Sequence, residues 1–388
     1  MAQAARKKTQ GRGLLLQALA LLIVVLILGL IIHNTVLNLE ARGIASGFGF
    51  LSQPAGFDLA FHLLPYDETT TFGQLFIIAL LNTLLVSAIG VVFASLLGLL
   101  VALARLSQNP LIRLLGTIYV ETLRNIPLLL QLFFWYFAVL RNLPGPRESL
   151  EFFGVVYLNN RGLSIPFPME PAAAFYIALA LILGLIVGHY LRQAAVKKRV
   201  EAGRFPAWHL LPYAIPVIFP LLTLLLLGQR WQISWPELQG FNFSGGLQLI
   251  PEFVSLVAAL SLYTAAFVAE IVRAGILSVQ KGQMEASEAL GLTRLDTMRL
   301  VILPQALRVI LPPLTSQYLN LVKNSSLAAA IAFPDLVLVF SGTAINITGQ
   351  AVEIMAMVMM VYLLLSLSIS AAMNRYQSKT LHYLGQRS

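Results

Sequence analysis

The sequence contains no cysteine, which excludes disulfides and thiolate metal sites. Its five histidines (His33, His62, His189, His209 and His382) are scattered, and no two have the helical spacing of a metal-binding pair. No G-x-x-x-x-G-K-S/T phosphate loop occurs, nor HExxH, nor GxSxG. P-loop ATP hydrolysis, zinc-protease chemistry and serine-hydrolase chemistry are therefore not expected of this chain. Charge is scarce as well. Only 11% of the residues are charged, against about 25% in a typical soluble domain. Low-complexity tracts and an internal repeat are also missing, which disfavours an inverted-repeat transporter.

What is present is apolar. Of 388 residues, 58% are hydrophobic, and the mean hydropathy is +0.79. Runs of the roughly 20 apolar residues that a transmembrane helix needs recur along the chain, so the sequence predicts an all-α polytopic membrane protein. Eight spans are expected, at Leu14–Ile32, Gln74–Ala104, Leu114–Leu140, Pro171–Leu191, Leu210–Gly228, Leu249–Leu277, Leu307–Val322 and Ala351–Met373. The first follows the basic tail MAQAARKKTQGRG. Its apolar run exceeds the 7–15 residues usual in a signal peptide, so it is expected to be a retained helix.

The net charge of +9 gains meaning once its residues are placed on sides of the membrane. About eighteen Lys and Arg fall in segments on one side, among them Arg6, Lys7, Arg105, Arg113, Lys197, Lys281, Arg294 and Arg375. About five fall on the other: Arg42, Arg141, Arg147, Arg161 and Arg230. The richer side is read as cytoplasmic, with both termini inside. The basic balance is thus a membrane-lipid bias, not a nucleic-acid footprint. Four segments result: 1–73, with the tail, first helix and an external loop; 74–140, with two helices; 141–248, with external loops and two inserted helices; and 249–388.

One interruption stands out within the last segment. GQMEASEALGLTRLDTMRLVILP (Gly282–Pro304) separates two apolar spans and faces the cytoplasm in this topology. Gln283–Leu290 is rich in helix formers, and Gly291 stands where a helix ends in a left-handed residue. Thr293 with Asp296 resembles a cap opening a second short helix, whose apolar side is Leu292, Leu295, Met298 and Ile302. Pro304 is expected to interrupt the backbone ladder as the chain re-enters the membrane. Two short surface helices gain order by docking on a protein partner. Glu285 and Glu288 argue against rest on anionic lipid.

Glu285-Ala286-Ser287, then Gly291, then Val301 and Leu303-Pro304 match in every spacing the cytoplasmic loop signature of ATP-binding-cassette importer permeases. Ser287 replaces an alanine of that signature and Val301 an isoleucine. ETLRNIPLLLQLFF (Glu121–Phe134), LYTAAFVAEIVRAGI (Leu262–Ile276) and LVKNSSLAAAIAFPDL (Leu321–Leu336) resemble the polar amino-acid branch. The likeness is strongest to the larger permease subunits of general L-amino-acid transporters. It implies a five-helix type I importer core made of the second, third, sixth, seventh and eighth spans. It also implies that Glu285, Ala286, Ser287, Gly291, Leu303 and Pro304 couple to a cytoplasmic ATPase dimer. That dimer would bind ATP and Mg, while this chain binds no cofactor. A second related permease and an external amino-acid-binding protein would complete the system in a bacterial inner membrane.

Intramembrane charges usually face the interior or a cavity. Glu121 with Arg124, and Glu270 with Arg273, are spaced to pair within one helix. The pairs either neutralise locally or meet across helices as an inner gate. Lys323-Asn324-Ser325-Ser326 is expected to break the seventh span and restart it at Ser325 or Ser326. The new helix N-terminus with Lys323 would then receive a substrate carboxylate; packing through small residues and a snorkelling lysine is the other possibility. Gln131, Tyr263 and Gln317 are further substrate-path candidates. The alternative function is an ion-gradient-driven transporter of small polar solutes, which would need no coupling loop.

Overall fold

Long apolar runs give up their backbone to helices because a bilayer offers no other hydrogen-bond partners. The structure, a computed structural model, describes residues 17–27, 29–31, 33–34, 37–38, 46–202, 206–228 and 232–385. The basic tail, Arg42, Arg204, Arg230 and Arg387 lie outside the described residues. Its main helices are α1 (Phe72–Arg105), α2 (Pro110–Asn125), α3 (Leu128–Phe133), α4 (Pro171–Ala202), α5 (Leu211–Leu227) and α6 (Pro251–Leu277). After these come α7 (Lys281–Ala289), α8 (Arg294–Thr297), α9 (Leu303–Asn324), α10 (Ile345–Thr348) and α11 (Ala351–Gly385).

Among the described residues, 5 helices are long and apolar enough to cross a membrane, or up to 6 if a bent pair counts as one span. The predicted third span is that pair, turned by 106° between α2 and α3. The cause is local: Pro127 cannot donate to the ladder, and Ile126 before it is driven into the extended conformation. The predicted fifth span is the 17-residue α5, with Pro216 and Pro220 inside it. It packs on α4 at two glycines, where a Cβ at Gly188 would lie 2.6 Å from the Pro212 carbonyl oxygen. The predicted first span is represented by a short apolar helix at Gln17–Ile31. A further apolar helix, Val337–Thr348, was not expected.

The chain divides into two compact units, Met1–Ala88 with Gly275–Ser388, and Ile89–Ala274. The first has a core of Phe50, Phe72, Leu75, Ile78, Leu336, Phe340 and Ile354. Buried polar side chains pin it: Asn82 donates to the carbonyls of Phe61 and Pro334, and Thr83 accepts from the Leu336 N–H at 3.0 Å. Gly275, where the first unit resumes, lies close against Ile310 of α9, and an added Cβ there would overlap that side chain.

The second unit holds small residues where helices meet. Ala102, Val120, Ala266 and Ala269 form its helical core, and Gly98 abuts Val268. It also contains β-structure that the helical pattern gave no reason to expect. Strands β1 (Leu150–Phe152), β2 (Val156–Asn159) and β3 (Gly162–Ile165) are followed by the short β4 (Phe167–Pro168), and β5 (Ile233–Ser234), β6 (Glu237–Gln239), β7 (Asn242–Ser244) and β8 (Leu247–Leu249) come after α5. A four-stranded antiparallel sheet runs β1-β2-β3-β8, with Leu163 opposite Leu249. β4 pairs with β5, and β6 with β7. The two segments flanking the α4–α5 hairpin thus fold together.

Candidate functional site

The segment after α6 is built as its residues dictate. Gln283, Met284, Glu285, Ala286 and Glu288 lie in α7, and the helix ends at Gly291 with φ +71. The Leu292 N–H reaches the Ser287 carbonyl at 3.1 Å, and the Gly291 N–H reaches that of Glu288 at 2.9 Å. These are the two bonds of a Schellman stop. Thr293 then caps α8: its hydroxyl accepts from the Asp296 N–H and donates to the Asp296 carboxylate at 2.6 Å.

Here the structure revises the expectation in three ways. α8 is not a separate surface helix. It runs through a π-helical turn, Met298–Ile302, directly into α9. Pro304 sits in the first turn of α9, where a missing N–H costs least. The apolar side also divides: Ile302 is buried, whereas Leu295 is 77% exposed. Ser287 is buried, with its hydroxyl donating to the Gln283 carbonyl. It faces inward, while Glu285 and Ala286 face solvent. The most exposed apolar side chain of the segment is Leu290, at 80%. Helical periodicity did not single it out, because it belongs to the turn.

The ionisable residues of the second unit group differently from the expected pairing. Arg273 donates to Glu270 at 2.7 Å within α6. The other partner of Glu270 is Arg105, at the end of α1. In the sequence, Arg105 stands out only as one of the basic residues at the ends of the spans. Its stem lies against Gly116 of α2, where a Cβ would be 2.9 Å from Arg105 Cγ. Arg124 lies over the ring of Phe267 at 5.2 Å, and Phe267 is 4.9 Å from Tyr263. Glu121 is exposed. No Glu121–Arg273 contact forms, because Glu270 satisfies Arg273 one turn away.

Two groups of substrate-path candidates bond to nearby backbone. Gln131 is buried, and its amide donates to the Leu123 and Ile126 carbonyls at 2.8 and 2.9 Å. It closes the α2–α3 corner by satisfying carbonyls freed at the bend. The helix also does not restart at Ser325. It tightens into a 3-10 turn, Ser325–Ile331, with the Ser325 N–H bonded to the Leu321 carbonyl. Ser325 and Ser326 donate their hydroxyls back to the carbonyls of Val322 and Lys323, within one continuous helical run. The chain turns at Ala332, φ +59, and Asp335 accepts from the Leu338 N–H at the next helix start. Lys323 is exposed, while Asn324 and Gln317 are half-buried.

Asp67, Thr69 and Thr70 of the loop before α1, with Gln74 of α1 itself, border a cavity of about 500 Å³. The hydroxyls of Thr69 and Thr70 hold the Asp67 carboxyl below its ordinary range.

The family model described as binding-protein-dependent transport system inner membrane component matches residues 211–382, the stretch that carries α6, α7 and α9. Similarity to individual proteins extends further. YhdX of Escherichia coli (strain K12), an amino-acid ABC transporter permease protein by its name, is 52% identical over 368 residues, covering 95% of this chain and 94% of that protein. The chain belongs to the amino-acid ABC transporter permease family. The general L-amino acid transport system permease protein AapQ of Rhizobium johnstonii is 45% identical over 370 residues, covering 95% of this chain and 92% of that one. The glutamate/glutamine/aspartate/asparagine transport system permease protein BztB of Rhodobacter capsulatus is 39% identical over 401 residues, covering 95% and 93%. As a member of this permease family, the chain is a multi-pass inner-membrane transport component; ATP hydrolysis belongs to a separate subunit.

Proposed function

We propose that this permease moves L-amino acids of broad side-chain type inward, driven by a cytoplasmic ATPase dimer that grips α7 and the Gly291 turn. The observation that carries the reading is the shape of that turn. Leu290 and Leu295 are the most exposed apolar side chains of the segment, on either side of the Schellman stop at Gly291, with the exposed Glu285 five residues before Leu290. An apolar knob beside an acidic group suits a cleft on a protein partner and is poorly placed in water. Closure of the ATPase on ATP and Mg would carry α7 with it, and the continuous path from α8 into α9 would pass that motion into the membrane as a rigid body.

Both termini lie in the cytoplasm in this reading, as the Lys and Arg bias requires. A second, related permease completes a heterodimer, and an external amino-acid-binding protein supplies substrate. Tyr263, Gln317, Lys323 and Asn324 remain the residues assigned to the substrate path. The broad range of cargo is supported by the names of AapQ and BztB.

The test is co-purification and uptake. Leu290→Ser with Leu295→Ser is expected to lower recovery of the ATPase with the permease and to abolish ATP-driven uptake of labelled amino acids in proteoliposomes. Uptake that follows an imposed ion gradient and ignores both substitutions would refute the reading in favour of a secondary transporter.

A further inference from the structure

The β-structure between α3 and α6 is framed by two hairpins whose tips share one composition. The β1–β2 turn is Phe153-Gly154, with φ +58 and +72, closed by the Val155 N–H on the Phe152 carbonyl. Phe152 pairs with Val156, so the loop has three residues, and its two left-handed positions favour Gly and Asn. Phenylalanine is a poor choice there for backbone reasons, and a poor choice for solvent as well, since Phe153 is 97% exposed. The β6–β7 turn is Gly240-Phe241, with φ +67 at the glycine, and Phe241 is 72% exposed. Among the described residues, Phe153 is one of two non-glycine residues at positive φ. Strain that persists at a solvent-exposed tip points to a role outside the fold itself.

Side-chain contacts join the base beneath the tips. The Tyr157 and Phe243 rings stack at 4.6 Å, joining the two hairpins. Asn159 donates to Ser149 at 2.9 Å, and Arg161 donates to Asn242. Arg147 lies 4.5 Å over the Phe241 ring. Beside it is a cleft of about 170 Å³, whose polar lining includes Asn159, Arg161, Ser164, Asn242 and Gln248. Exposed aromatic anchors next to an arginine and a polar cleft have the composition of a protein-binding hot spot. Lipid headgroups suit the site less well. Glu148 and Glu151 stand within five residues of Phe153, and their carboxylates would repel an anionic bilayer surface.

We infer that Phe153 and Phe241 are the anchors by which an external amino-acid-binding protein docks on this permease. The occupant follows from three facts: the matched family is that of binding-protein-dependent transport systems; the sheet is built from the two segments that the charge bias places outside; and its exposed groups suit a protein surface. The inference rests on the importer reading proposed above.

The experiment uses the assembled transporter in nanodiscs of phosphatidylethanolamine and phosphatidylglycerol, with the purified external binding protein of the same system as probe. Phe153→Asn places the residue that a left-handed tip prefers, so the hairpin should fold at least as well; Phe241→Ser is the second variant. Each is expected to raise the binding-protein concentration that half-saturates ATP hydrolysis by about tenfold, without lowering the melting temperature. Wild-type dependence on the binding protein that both variants leave unmoved overturns the anchors but not the importer. Wild-type hydrolysis indifferent to the binding protein overturns the importer reading and the anchors together. Quenching of a Phe153→Trp tip by brominated lipid, with docking unchanged, assigns the tips to the bilayer and overturns the inference.

Discussion

The two built surfaces of this permease outside its membrane spans, the α7–α8 segment and the β-sheet before α6, differ in how they are held. The first is made of neighbours in sequence: Gly291, the Leu292-to-Ser287 bond and the Thr293–Asp296 cap all lie between residues 287 and 296. The second is made of strangers. β3 pairs with β8 across α4 and α5, and Leu163 meets Leu249. Local contacts need little loop closure, whereas the sheet forms only after the intervening hairpin has brought its ends together. The α7–α8 segment therefore keeps its shape through local bonds, whereas the sheet depends on contacts distant in sequence.

The sharpest way to break this contrast is Gly162→Ala. Gly162 has φ +117, and an added Cβ would lie 1.9 Å from the Leu249 carbonyl oxygen. The β3–β8 pairing should fail at a cost of about 3 kcal/mol or more, read as a lower melting temperature and new protease cleavage between residues 150 and 165. Retained protection would show that the sheet does not depend on this contact.

Gly291→Val comes next. A Cβ at 291 meets nothing within 4 Å, so the penalty is backbone strain alone, about 2 kcal/mol for a left-handed residue. ATP-driven uptake should drop by about tenfold, and Gly291→Asn, which tolerates that conformation, should recover most of it. Equal loss in both variants would indicate that the partner reads the glycine surface and not the turn.

Smaller effects sharpen the comparison. Tyr157→Ala removes the stack on Phe243 and should destabilise the sheet by about 1 kcal/mol, visible in thermal denaturation. Thr293→Ala removes the α8 cap at a similar or smaller cost, about 1 kcal/mol. Because the cap is local, hydrogen exchange should quicken at residues 294–298 and stay unchanged in the sheet. Spread of either effect to the other surface would contradict their separate origins.

The same division explains what could be read in advance. Gly291 and the Thr293–Asp296 cap were legible because each acts within a few residues. The break at Pro127 has an equally local cause, yet its 106° bend was hidden by an apolar run that continues through the proline. Gln131 misled for a related reason: a polar residue on an apolar helix advertises a lining group, but here it satisfies the carbonyls of the bend. Ser325 and Ser326 suggested a helix start, yet their hydroxyls return to carbonyls within the same turn. The choice of Arg105 as the cross-helix partner of Glu270 could not be read at all. Several arginines were available, and only the approach of α1 to α6 selects one.

By itself, then, the sequence determined the membrane class, the uneven placing of positive charge between the loops and the helix-stop-helix form of the α7–α8 segment. Hydropathy, charge and capping act over a turn or a span and need no knowledge of distant contacts. Tertiary structure alone decided that two loops join as one sheet, that Ser287 turns inward while Leu290 turns out, and that Glu270 bonds to Arg105. Each of these depends on which surfaces meet, and packing of side chains from separate elements settles that choice.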